Sequence, residues 1–260
     1  MNQINPTTDE EYQQQLDQEY RDRGSDYLDS MDELLDQAFQ ESADYRRLIE
    51  AIHDKARDLK GLGASYGYSV VTVLAHRMDD YLSELTALSR DQVRELQLFA
   101  DRLRVAISQL ENPDAEVIAA MVRSLPAKPG FRVEDIEILN IEIMLVLPPG
   151  AATRFVTAEL QECGYRVTNV ASPVDAIRLA VQSRPDLVIA SAVLPDLSGI
   201  DLACAFSAMP ATRKVAVALL TSLGRDDDSL LALPATVPIV RKGSSFGDDV
   251  AAALAVLGIT

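Results

Sequence analysis

The stretch RPDLVIASAVLPDLSGIDL, residues 184–202, decides the fold of half of this chain. Its run Leu187-Val188-Ile189-Ala190 is apolar at successive positions and short, with Pro185-Asp186 before it and Pro195-Asp196-Leu197-Ser198-Gly199 after it. A run of that kind, bounded by turn residues, reads as a strand covered on both faces, which is what a parallel sheet requires. The GIDLACAFSA segment that follows returns to helical spacing. Working outward, the same alternation recurs: IEIMLVL, ATRFVTAELQEC, YRVTNV and PVDAIRLAVQS lie before it, and VAVALL and PIV after it. Repeated strand-helix units predict an α/β doubly wound, five-stranded parallel sheet with helices on both faces. In such sheets a functional site sits outside the carboxyl ends of the strands. The segments to interrogate are therefore LPPG (147–150), SAVLPDLSG (191–199), TSLG (221–224) and RKG (241–243).

The first 125 residues read differently. Pro and Gly are sparse there, and apolar residues such as Leu28, Met31, Leu34 and Leu35 fall at helical spacing, which predicts an all-α bundle of four or five helices. Helix starts are expected at Thr8 with Glu11, at Ser89 with Gln92, and at Asn112 before Pro113. In LPAKPGFRVED (125–135) two prolines and a glycine end the pattern. The expected organisation is a helical domain over 1–125 with its core at about 20–110, a linker over 126–137, and the α/β domain over 138–260.

Composition bounds the functional classes. The 48% hydrophobic and 25% charged content is that of a globular chain long enough for two cores. Charged residues interrupt every apolar run before it reaches membrane-spanning length, and MNQINPTTDEEY lacks the basic-then-apolar order of a secretory signal, so a cytoplasmic location is expected. A net charge of −16 opposes nucleic-acid binding. Residues 1–50 hold 14 Asp and Glu against 4 Arg, a net of −10, read as a solvated helical face. Cys163 and Cys204 have no close Cys or His spacing for zinc and are expected to be small core residues.

Residues 56–67, ARDLKGLGASYG, resemble the signature of histidine-phosphotransfer domains, with Ala56, Leu59, Lys60, Gly61 and Gly67 in place and Arg57 where that family has its phosphoacceptor histidine. The next helix, LAHRMDDYL (74–82), is similar to the phosphotransfer domain of chemotaxis kinases, and there the resemblance makes His76 and Asp79 the pair that orients the imidazole. A guanidinium stays protonated and offers no lone pair, so Arg57 cannot accept phosphate. It can pair with Asp79, an exposed-type contact contributing about 0 to 1 kcal/mol. His53, one turn before Arg57, is weighed as a displaced acceptor and read as an ordinary surface histidine. His76 is weighed likewise and read as a packed orienting residue. Gly61, Gly63 and Gly67 do not have phosphate-loop spacing, and Gly61 and Gly67 are expected to serve helix packing and a turn.

Residues 142–257 resemble response-regulator receiver domains, most specifically in the opening stretch. There the resemblance puts Ser191 at the phosphoacceptor aspartate, and Pro148 and Pro149 at the two acidic residues that hold magnesium. Proline side chains supply no oxygen ligand, so a metal is not expected. Asp186 and Asp196 are read as surface residues. The resemblance makes Thr221 and Lys242 the switch positions, with Gly243 where proline is usual, and GRDDDSLLALPATVP leaves room for only a short fourth helix.

The reading that follows is a non-enzymatic, phosphorylation-independent adaptor or antagonist of two-component signalling. It would use no cofactor and bind a receiver domain or a histidine kinase around Arg57. Two alternatives stand beside it: an active phosphorelay intermediate using His53 or His76, and a dimerisation or scaffold module. A homodimer is compatible with the sequence. Binding to nucleic acid or membrane is not expected.

Overall fold

The computed structural model describes residues 6–38, 44–83, 85–128, 139–223, 227–243 and 246–259. Two compact units, Met1–Asp114 and Ala115–Thr260, divide the chain.

The first unit contains α1 (Pro6–Gln37), α2 (Tyr45–Tyr66), α3 (Ser69–Leu82) and α4 (Arg90–Gln109). The helices pack in a ring, α1 on α2 and α4, and α3 on α2 and α4. Each contributes an apolar stripe: Leu28, Met31 and Leu35 from α1, Ile52, Ala56 and Leu59 from α2, Leu74, Met78 and Tyr81 from α3, and Leu96, Phe99 and Leu103 from α4 are fully buried. The Ser89–Gln92 capping box opens α4 as the sequence predicts. Thr8, in contrast, lies inside α1 rather than at its start. Asn112 does not cap a following helix either. Its Oδ1 accepts from Ser69 N at 2.7 Å and its Nδ2 donates to Gly67 O at 2.6 Å, closing the α2–α3 turn instead.

That turn and the contact beneath it need glycine at two places. Gly67 ends α2 with φ at 79°, a left-handed conformation that costs other residues. A Cβ at Gly63 would come 2.8 Å from Thr72 N, so the absent side chain lets α2 and α3 approach. Gly61 faces open space, and the packing role expected there belongs to Gly63.

The second unit begins with α5 (Ala115–Ser124), which packs against α7 (Pro173–Ser183) and so leaves the helical domain in which the sequence placed it. Two ion pairs and a buried arginine fix it, and the first pair joins Arg184 Nη1 to Glu116 at 3.0 Å. Arg123 Nη2 reaches both carboxylate oxygens of Asp186, at 3.0 and 3.2 Å. Arg166, buried, donates to Val122 O and Leu125 O while pairing with buried Glu142. Asp186 also accepts from Glu142 N at 2.8 Å, so it is a structural anchor rather than the surface residue expected.

The described strands β1 (Glu142–Val146), β2 (Arg166–Val170), β3 (Leu187–Ser191), β4 (Ala216–Thr221) and β5 (Ile239–Arg241) form one parallel sheet in the order β2-β1-β3-β4-β5. This is the doubly wound order whose switch point lies between β1 and β3. β1 and β3 are buried at every position, the physical content of their continuous apolar runs. Helices α6 (Ala151–Glu162) and α9 (Phe246–Leu257) contribute Val156, Leu160, Val250 and Leu254 to a core with Ile143, Leu145 and Ile189. Helix α8 (Gly199–Ala208) follows β3. Where a fourth crossover helix was in doubt, the described residues hold one 3-10 turn, Asp228–Leu230. Cys163 is exposed and Cys204 half-buried, so neither is the core residue expected. Among the described residues no helix is long and apolar enough to cross a membrane.

Candidate functional site

Two places collect the residues singled out by sequence, one in each unit.

In the helical unit, α2 and α3 run side by side, and three side chains of α2 meet two of α3. His53, Arg57 and Lys60 are separated by one turn each, so they share a face. His76 and Asp79 do the same on α3. The pairing that results is specific. Arg57 Nε lies 3.2 Å from Asp79 Oδ1, the partner expected for it. His53 Nδ1 lies 2.8 Å from the same oxygen. His53 is thus no ordinary surface histidine; only 15% of its side chain is exposed, against 61% for Arg57. Its position four residues before Arg57 was the available signal, because the same helical face that brings Arg57 to α3 brings His53 there too.

Donor and acceptor chemistry fixes the tautomers. A carboxylate only accepts, so His53 Nδ1 carries the proton that Asp79 receives, and Nε2 holds the lone pair. An ammonium only donates. Lys60 Nζ, 3.3 Å from His76 Nδ1, therefore places the lone pair of His76 on Nδ1 and its proton on Nε2. That Nε2–H is buried and has no hydrogen-bond partner among the described residues. Burial first, and then the Lys60 charge, push the His76 pKa down to about 4. Burial alone would raise the Asp79 carboxyl, but the His53 hydrogen bond and charge, together with Arg57, hold it below the usual carboxylate range. Gly61 is exposed beside Lys60 with open space over its Cα, so the face around Arg57 is unobstructed there.

At the carboxyl ends of the strands the second site is assembled without acidic groups. Pro148 and Pro149 are exposed after β1, and Ser191 is buried at the end of β3. Pro148 offers its carbonyl, which accepts from Thr153 Oγ1 at 2.5 Å at the start of α6. Gly199 is demanded by geometry, since a Cβ there would lie 2.2 Å from Ser191 O. Thr221 Oγ1 is occupied in its own loop, accepting from Leu223 N at 3.1 Å. Lys242 is exposed; its backbone N–H donates to Thr221 O at 3.3 Å, and among the described residues its side chain makes no hydrogen bond to Ser191. Exposed Val193 and Leu223 give the mouth an apolar rim. Asp196 stays exposed, in a left-handed turn with φ at 66°.

These residues do not fit a magnesium ion. The cation takes hard oxygen ligands, usually one or two carboxylates, and Pro148, Pro149 and Ser191 supply none. Nor do the described residues elsewhere bring together three or more His, Cys, Asp or Glu side chains suited to a metal.

No protein-family model and no curated protein matches the chain. Solved structures that resemble it are receiver domains over the C-terminal half. The receiver domain of a sensor histidine kinase from Pseudomonas aeruginosa PAO1, described with magnesium in its active-site cleft, is 27% identical over 45% of this chain and 98% of that one, with a TM-score of 0.41. The chemotaxis response regulator CheY4 of Vibrio cholerae is 20% identical over 45% of this chain and 98% of that one, TM-score 0.38. The anti-anti-sigma factor PhyR from Bartonella quintana aligns over 94% of this chain and 92% of its own at 15% identity, TM-score 0.34.

Proposed function

We propose that the chain is a phosphorylation-independent docking module of two-component signalling, which binds a receiver domain or a histidine kinase through the α2–α3 face around Arg57. It passes no phosphate through position 57 or position 191. The observation that carries this reading is Arg57 itself, an exposed guanidinium held by Asp79 on a face left open beside Gly61. Its Nη1 also lies 3.7 Å from exposed Asp54 Oδ1, a loose pair that a partner's carboxylate can replace, so the outer edge of the guanidinium can offer paired donors, the geometry in which Arg excels.

The α/β unit supports a binding role rather than a chemical one. A transferring phosphoryl group needs its growing negative charge neutralised, most often by a metal. Residues 148, 149 and 191 provide neither a ligand set nor a base, and Thr221 is engaged within its own loop. The apolar rim of Val193 and Leu223 suits contact with protein better than contact with an ion.

The test is an NMR titration of the whole chain. Adding an intact, unphosphorylated receiver domain should shift α2 and α3 amides around Arg57 in a saturable way. Adding magnesium and acetyl phosphate should leave the amides beside Pro148 and Ser191 unmoved. Saturable magnesium shifts at those positions, or receiver-induced shifts that avoid α2 and α3, would contradict the reading. Concentration-dependent shifts with no partner present would instead identify self-association.

A further inference from the structure

We infer that the amino-terminal overhang of α1 is a docking surface for a basic amphipathic helix of another protein. This surface lies on α1 rather than on α2 and α3, and it stands whether or not Arg57 docks a receiver domain.

Helix lengths raise the question. α1 runs for 32 residues, whereas its bundle partners α2 and α4 run for 22 and 20. At ~1.5 Å per residue, α1 outruns them by about 15 Å, or roughly three turns. The excess lies at the amino end: among the described side chains of α1, residues 10–15 are all exposed, and Tyr20 is the first that is buried.

A solvated extension has no use for an apolar stripe, yet this one carries it. Tyr12, Leu16 and Tyr20 fall four residues apart, on one face of the helix. Tyr20 is fully buried, Leu16 half-buried and Tyr12 63% exposed, so the stripe that anchors α1 in the bundle continues beyond the bundle uncovered. At its foot sits a tyrosine cluster. The Tyr20 ring stacks on Tyr68 with centroids 4.3 Å apart and meets Tyr66 at 5.4 Å. Tyr68, in the α2–α3 turn, donates its hydroxyl to Asp17 at 3.3 Å. The Tyr20 hydroxyl is buried and has no hydrogen-bond partner among the described residues, which leaves this end of the stripe incompletely satisfied in the free chain.

Charge selects the occupant. Residues 10–19 contain Glu10, Glu11, Asp17 and Glu19 and no Lys, Arg or His. Asp17 accepts from Gln13 at 2.9 Å and Glu19 lies 3.7 Å from Arg23, while Glu10 and Glu11 have no ion-pair partner among the described residues. A helix laid along the stripe packs its own apolar residues, at the same helical spacing, against Tyr12 and Leu16. Lys or Arg flanking that face then meets the carboxylates, whereas a second copy of the overhang brings acid against acid. The same charge opposes nucleic acid.

The test titrates the ¹⁵N-labelled full chain with two synthetic peptides of the same leucine and lysine content. In one the leucines recur at helical spacing on a single face; in the other they are scattered round the helix. The first should shift the α1 amides of residues 10–20 saturably and bind at least about tenfold more tightly than the second. Tyr12→Ser should weaken it at least about tenfold, as expected of an aromatic anchor, and should leave the fold unchanged because Tyr12 is exposed. Glu10→Lys combined with Glu11→Lys should weaken it too and flatten its salt dependence. Neither peptide is a receiver domain, so this outcome is separate from that of the docking test. Shifts that avoid residues 10–20, equal binding of the two peptides, or unchanged affinity in Tyr12→Ser overturns the inference. So does a dimer of the free chain that Tyr12→Ser dissociates, which would give the stripe to a second copy.

Discussion

Burial of His76 beneath Lys60 should make the helical unit lose stability in mild acid. The imidazole has an ordinary pKa of 6.5 and one of about 4 in the folded chain. Because the folded pKa is the lower one, the unfolded chain binds the extra proton first, and stability falls as the pH drops from about 6.5 towards about 4. Below that, both states are protonated and the loss levels off. Integrated from pH 7 to pH 4 the difference amounts to roughly 3 kcal/mol, with a slope approaching ~1.4 kcal/mol per pH unit in the middle of the window. Asp79 acts elsewhere: its depressed carboxyl pKa confers stability that is lost only when the pH falls below the normal carboxylate range. The assay is urea unfolding of the full chain at a series of pH values, read on α2 and α3 amide resonances, for the wild type and His76→Leu. Carboxylate contributions common to both chains cancel in the difference. His76→Leu should lack the loss of roughly 3 kcal/mol between pH 7 and pH 4, because leucine fills the site without a proton to take up. Parallel pH profiles for the two chains, or a His76 ring that titrates near 6.5, would refute this account of its environment.

The other expectations are local. Gly63→Ala should destabilise the helical unit by about 1–3 kcal/mol, because the new Cβ meets Thr72 backbone nitrogen at 2.8 Å, whereas Gly61→Ala, facing open space, should be neutral or stabilising by up to ~1 kcal/mol; paired urea midpoints decide it. Glu142→Gln should cost the α/β unit about 3–5 kcal/mol by leaving Arg166 buried without its counter-charge, measured by urea unfolding followed on β1 and β2 amides. Gly199→Ala should prevent the native 191–199 loop from forming, seen as lost or shifted β3 and α8 amide resonances, since its Cβ would overlap Ser191 O.

Which parts were legible in the sequence follows from how local their causes are. The strands were readable because β1 and β3 are buried at every position, so apart from Glu142 at the start of β1 and Ser191 at the end of β3 each is an unbroken apolar run, and the Ser89–Gln92 box needs only its own four residues. The helical assignment of residues 115–124 was legible too, but not the unit it belongs to. That depends on Arg123 meeting Asp186, 63 positions away, and Arg166 meeting the carbonyls of Val122 and Leu125. Asn112 was misread for the same reason, because Ser69 and Gly67 outcompete the helix start beside it. At the site, the Arg57–Asp79 pair could be anticipated. The sharing of that carboxylate with His53 could not, because spacing shows that two residues lie on one face but not which facing group each one reaches. Gly61 and Gly63 were indistinguishable by composition; only the position of Thr72 on the neighbouring helix separates them.

The central claim is that Arg57 makes this chain a docking module, and calorimetry with an intact receiver domain tests it most directly, with and without magnesium, for the wild type and Arg57→Ala. If the guanidinium enters the partner's acidic pocket, wild-type binding should weaken as magnesium competes for those carboxylates. Arg57→Ala should then cost about 2 kcal/mol or more, roughly thirtyfold in Kd, and remove the magnesium dependence. Equal affinities for the wild type and Arg57→Ala, whether magnesium is present or absent, would contradict it.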